Sequence, residues 1–171
     1  KTLKNYVQKC RELGVEDIAA FGTSAIRNAE NRDLFLTRVR EDLGITIRVI
    51  SGREEAGYIY QGVRIGLDHP APFLVMDIGG GSTEFILSVN NKLKEAVSFE
   101  IGAARIFQAF TFSDPFTEKD CTQIVDYLNE NTGTFFDDMQ VDTLVGASGS
   151  CETFYELLSN KAYPKNEYVT L

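Results

Sequence analysis

The sequence has no tryptophan, one histidine, three cysteines and four prolines in 171 residues. Cys10, Cys121 and Cys151 are odd in number, far apart and form no C-x-x-C pair. That pattern argues against a disulfide framework and a zinc cluster, and it suits a reducing, cytoplasmic setting. The single histidine, His69, stands between Asp68 and Pro70 and reads as a surface residue rather than a ligand. No apolar run approaches the roughly 20 residues that cross a bilayer, and no basic-then-apolar leader opens the chain, so a soluble protein without a membrane partner is expected. Cations are also short: 17 Lys and Arg face 25 Asp and Glu, a net charge of -8. This balance opposes binding of a nucleic acid polymer, and any anionic ligand must be held locally.

What is present is globular in character, 43% hydrophobic and 25% charged. The length allows one domain or two small ones. Leu3, Tyr6, Val7, Cys10 and Leu13 recur at helical spacing before Gly14. A short strand is expected over Ile18 to Phe21, then a polar turn at Gly22, Thr23 and Ser24. A helix follows from Asn31 to Leu43, closed by Gly44, and Ile45, Ile47 and Val49 alternate as a strand. Ser51 and Glu54 have capping-box spacing ahead of a helix with an apolar stripe at Ala56, Ile59, Tyr60 and Val63. Alternating helices and strands imply a parallel α/β layer.

Pro70 and Pro72 break this pattern, which places a lobe boundary between a first segment, 1–68, and a second, 72–171. Beyond it, Phe73 to Ile78, Thr83 to Val89 and Leu93 to Phe99 read as an antiparallel meander. Helices are expected over Ile101 to Phe110 and after Thr117, the latter burying Cys121, Ile124, Val125 and Leu128. Val141 to Ala147 is a further strand, followed by the small-residue loop Gly146 to Ser150 and a helix through Leu158.

The strongest chemical signal is Asp77-Ile78-Gly79-Gly80-Gly81-Ser82-Thr83-Glu84, set between two strands. Three adjacent glycines permit positive φ and close backbone approach, so their N–H groups can converge on an anionic oxygen as a nest. A tight hairpin needs fewer glycines and no acidic residue at the end of the apolar strand. No G-K-[ST] follows, so this is not a Walker A loop, and a strand rather than a helix comes next, so it is not a dinucleotide fingerprint.

The octet fits D-x-G-G-G-S-T-E and resembles the phosphate hairpin of the exopolyphosphatase/guanosine pentaphosphate phosphatase family, within the actin-like ATPase superfamily. Three other segments, in order, are similar to that family: Thr23-Ser24-Ala25-Ile26-Arg27 to T-S-A-x-R, Ile50 to Ala56 to I-S-G-x-E-E-A, and Gly102 to Arg105 to G-A-x-R. The similarity extends over about Lys1 to Leu158. The resemblance implies a two-lobed α/β fold of the actin-like (ribonuclease H-like) type. The chain opens on Lys1 inside a helical pattern and shows no early D-x-G-S-N-S hairpin, so a fragment lacking the start of the first lobe and the end of the second is expected.

The resemblance also implies roles. Glu55 matches the general base for an attacking water and Glu84 its acidic partner. Asp77 and Glu84 would hold Mg2+, and Arg27 with Gly79, Gly80, Gly81, Ser82 and Thr83 would bind substrate phosphate. Without the resemblance, Glu55 could equally be a solvated glutamate of a helix's first turn, and Arg105 could lie on the outside of its helix. The implied activity releases terminal phosphate from inorganic polyphosphate or guanosine pentaphosphate. Alternatives are a non-catalytic sensor of the same ligands and an actin-like kinase or ATPase, and a homodimer is a possible assembly.

Overall fold

A computed structural model describes residues 1–164. By packing, the chain divides into two compact units, Lys1–Ser51 and Gly52–Leu171.

The first unit contains α1 (Thr2–Glu12), β1 (Ala20–Gly22), α2 (Ser24–Arg27), α3 (Arg32–Leu43) and β2 (Ile47–Val49). Gly14 at φ +70° follows α1, and Gly44 at φ +71° closes α3, both conformations that glycine adopts without steric cost. β1 and β2 pair in parallel, as alternation with helices requires. The expected polar turn after β1 is instead a single helical turn, α2. Gly22 permits it, because a Cβ there would lie 3.2 Å from Ile26 and from Ile47. Val7, Val39 and Ile50 are the buried apolar side chains of this unit.

The second unit contains α4 (Gly52–Gly66), β3 (Phe73–Ile78), β4 (Thr83–Val89), β5 (Lys92–Phe99), α5 (Ala103–Ala109), α6 (Glu118–Thr132), β6 (Thr143–Ala147) and α7 (Gly149–Ser159). The sheet order is β5-β4-β3-β6: β3, β4 and β5 form an antiparallel meander and β6 runs parallel to β3. Asn90 and Asn91, at φ 52° and 56°, make the β4–β5 turn, since positive φ at both central residues matches strand twist.

One face of the sheet packs Phe73, Val75 and Ile86 against Ala56 and Tyr60 of α4. Burying a side chain of this size contributes about 1.5–3 kcal/mol. The Tyr60 hydroxyl meets Ser88 Oγ at 3.0 Å inside that layer, so neither polar group is left unpaired. The opposite face packs Leu74, Phe85 and Ile101 with Phe99, Tyr127, Leu128 and Phe135. Because the stripe of α4 is buried on β3 and β4, packing separates the units at Ser51/Gly52, ahead of the proline-marked boundary at 68–72.

Helix α6 also departs from expectation. Thr117 caps it through a capping box with Asp120, but Cys121 and Val125 are exposed. The capping box turns Asp120 inward, and the buried stripe continues through Tyr127 and Leu128, at i+7 and i+8. Among the described residues, no helix is long and apolar enough to cross a membrane.

Candidate active site

Strand pairing assembles the acidic centre. Asp77 is the register partner of Glu84 across β3/β4, Glu84 pairs with Ser98 across β4/β5, and Asp77 pairs with Ala147 across β3/β6. Directly opposed residues share a face. This row lies at the glycine end of the strands, on the face that α4 covers. Glu55, in the first turn of α4 beside fully buried Ala56, is half-buried, whereas Glu54 is exposed.

Glu84 is only 2% exposed and accepts a 2.6 Å hydrogen bond from Ser98 Oγ. Burial pushes its carboxyl above the usual range, opposed by hydrogen bonds from Ser98 and Ser82 and reinforced by the charges of Glu55 and Asp77. Asp77 is raised for the same leading reason, burial; a hydrogen bond from Ser148 opposes the rise and Glu55 adds to it. Three carboxylates thus converge within electrostatic reach of each other, and two favour the protonated form more than an isolated carboxyl does.

Residues 79–82 form the adjoining loop, and α5 organises it from behind. The carbonyl of Gly79 accepts from Ala103 N at 2.9 Å and that of Gly80 from Arg105 N at 3.0 Å. The carbonyl of Gly81 accepts from Gly102 N at 3.3 Å and from Arg105 Nε at 2.9 Å. In a trans peptide unit the carbonyl and the following N–H point in opposite directions. Three carbonyls held toward α5 therefore turn the Gly80, Gly81 and Ser82 amides the other way. Among the described residues, neither the Gly80 nor the Gly81 amide meets a backbone acceptor.

This corrects one expectation about the glycines. The positive-φ glycines among the described residues are Gly14, Gly44 and Gly133, so the loop is not a left-handed nest. Its donors are aligned by tying back the carbonyls. What glycine supplies is close approach: a Cβ on Gly102 would lie 2.5 Å from the Gly80 carbonyl and the Gly81 nitrogen, and one on Gly79 would lie 3.1 Å from the Ser82 oxygen.

Thr83 is buried and donates through Oγ1 to the Ile101 carbonyl at 3.3 Å, so its hydroxyl serves the scaffold. Arg27 belongs to the first unit, where Nη1 donates to the Ile50 carbonyl at 3.0 Å. The second small-residue loop adjoins the first: Ser150 Oγ donates to the Ile78 carbonyl at 2.9 Å, and Ser148 reaches Asp77. Sequence reasoning passed over Ser98 and the tight packing of Gly102. Strand alternation could have found Ser98, one pairing across from Glu84.

The donor set suits a hard cation such as Mg2+ in one specific way. Two carboxylates raised first by burial and further by neighbouring negative charge would be relieved by a positive charge. Among the described residues no cluster of three or more metal-ligating side chains exists, and magnesium characteristically takes one or two carboxylates and completes its shell with water and phosphate.

Comparison with known proteins gives the same assignment. Residues 1–170 match the Ppx/GppA phosphatase family. The guanosine-5'-triphosphate,3'-diphosphate pyrophosphatase of Aliivibrio fischeri strain MJ11 is 31% identical over 172 residues, 99% of this chain and 34% of that protein. Among solved structures, an exopolyphosphatase from Cytophaga hutchinsonii superposes with TM-score 0.84 at 30% identity, covering 94% of this chain and 54% of that one. The Ppx/GppA family member from Aquifex aeolicus gives TM-score 0.73 at 33% identity, over 96% of this chain and 53% of that one. The chain thus spans about half the length of these solved relatives and about a third of the curated one. With the family match running over residues 1–170 and the glycine loop flanked by the acidic pair, the chain belongs to the Ppx/GppA phosphatase family.

Proposed function

We propose that this protein hydrolyses the terminal phosphate of inorganic polyphosphate, guanosine pentaphosphate or both, releasing orthophosphate. The carrying observation is the placement of three carboxylates beside a loop whose Gly80, Gly81 and Ser82 amides face away from α5. Those amides would receive the terminal phosphoryl oxygens and stabilise charge that grows on them during transfer. In this reading Glu55 takes the proton of an attacking water, and its charge is felt by both Asp77 and Glu84. Arg27 is a further phosphate contact in this reading, whereas the Thr83 side chain is not. Asp77 and Glu84 are the candidate Mg2+ ligands; the ion when bound supplies charge neutralisation for the phosphoryl oxygens.

A pure sensor is disfavoured by the same carboxylates, since binding a polyanion gains nothing from acidic neighbours. The two lobes of an actin-like enzyme remain the frame of this reading, with a cytoplasmic site of action. Glu55→Gln in the full-length protein should lower phosphate release by about two to four orders of magnitude with KM nearly unchanged, as loss of a general base does. Release assays on polyphosphate and guanosine pentaphosphate in parallel check this and rank the substrates. Activity within a few-fold of wild type on both would remove Glu55 from the mechanism.

A further inference from the structure

We propose that Arg105, held by Glu100, is a positioning residue that sets the direction of the loop amides and does not itself contact phosphate. The inference rests on the reading of Gly80–Ser82 as a phosphate cradle and deepens it.

Arg105 reaches the loop twice, through its backbone N–H to the Gly80 carbonyl at 3.0 Å and through Nε to the Gly81 carbonyl at 2.9 Å. Its Nη2 lies 2.6 Å from Glu100 Oε2. Both loop contacts are to carbonyl oxygens, so the guanidinium lies behind the loop while the amides face forward. Gly81 O receives a second hydrogen bond, from Gly102 N, and two donors on one oxygen fix the plane of the Gly81–Ser82 peptide unit. A planar guanidinium bonded through Nε on one edge and Nη2 on another cannot rotate freely, and the Glu100 carboxylate offsets its charge. An ammonium group is a point donor without that fork and cannot reproduce both contacts in one plane.

The two roles predict opposite signs for one variant. If Arg105 were a phosphate ligand, removing the Glu100 charge would free it and tighten binding. If Arg105 positions the loop, Glu100→Gln loosens the guanidinium and weakens binding. Similarly, Arg105→Lys keeps the charge but loses the fork.

The test titrates the full 171-residue chain with inorganic tripolyphosphate by calorimetry and measures the order of the Gly80, Gly81 and Ser82 amides in the free chain by NMR relaxation. Both Arg105→Lys and Glu100→Gln should weaken tripolyphosphate binding by about two- to tenfold, the range that one lost net hydrogen bond spans. Both should also make the three amides more mobile before any ligand is added. Wild-type affinity in Arg105→Lys, or tighter binding in Glu100→Gln, would overturn the positioning role. Should Arg105→Lys fail to fold, amide order in the free Glu100→Gln chain decides, because loss of one negative charge changes polyanion attraction but does not by itself loosen the loop. A wild-type chain that does not bind tripolyphosphate would sink the cradle reading, and amide order in the free variants would still judge the clamp, with unchanged order counting against it.

Discussion

At the scale of single residues, the site places acidity where folding would rather not have it. Asp77 and Glu84 face each other across β3/β4 with carboxyls raised first by burial, and Glu55 adds repulsion to both. A carboxyl whose folded pKa is raised helps stability most below its ordinary value and loses that contribution as pH rises through the folded value. At neutral pH the charged form of Asp77 therefore opposes folding. Asp77→Asn keeps a hydrogen-bonding partner for Ser148 while removing the charge, so its Tm near pH 7 should exceed that of wild type. The gain should shrink on acidification and vanish below the ordinary aspartate value of 3.8. Thermal melts across that range check the sign; a lower Tm at pH 7 would mean that Asp77 is already paired with a cation or proton. Under the cation-binding role proposed for Asp77, such a gain would accompany loss of activity, a common exchange when a functional charge is removed.

At the scale of elements, the junction of the glycine loop with α5 is the most sensitive place. Gly102→Ala puts a Cβ 2.5 Å from backbone atoms of Gly80 and Gly81, and backbone cannot swing aside as a long side chain does. Overpacking of this kind costs about 1–3 kcal/mol. Urea denaturation should show that loss, accompanied by weaker tripolyphosphate binding. Wild-type stability would mean the loop and α5 are not in contact. Elements were legible in the sequence where one physical signal dominated. β3 and β4 have the bounds that their apolar run and alternation suggest, and Gly44 ends α3 as a left-handed cap. They were illegible where tertiary contact decides: α2 forms because Gly22 leaves room for Ile26, and the stripe of α6 is set by Asp120 turning inward. The acidic residues of the site were readable from the motif and Ser98 could have been found from the alternation of the meander, but the back of the loop was not readable, because the packing of Gly102 carries no linear spacing.

At the scale of the whole molecule, a chain of net charge -8 that holds a polyanion, as proposed, does so against general repulsion. General repulsion should therefore weaken tripolyphosphate binding most in dilute buffer. Raising ionic strength from about 10 mM to about 150 mM shortens the screening length from about 30 to about 8 Å, and affinity measured by calorimetry should increase over that range. A steady decrease would show that cationic side chains, not amides, dominate the grip. The loop tied back at Gly79, Gly80 and Gly81 explains how attraction survives at all. Each peptide unit carries a dipole of about 3.5 D, and here three consecutive units point their positive ends the same way. Amides do not titrate between acid and alkaline pH, whereas the carboxylates beside them do. The loop's own attraction for an anion is therefore fixed by the backbone, while the repulsion it must overcome, from Asp77, Glu84 and the net charge of -8, weakens as pH falls.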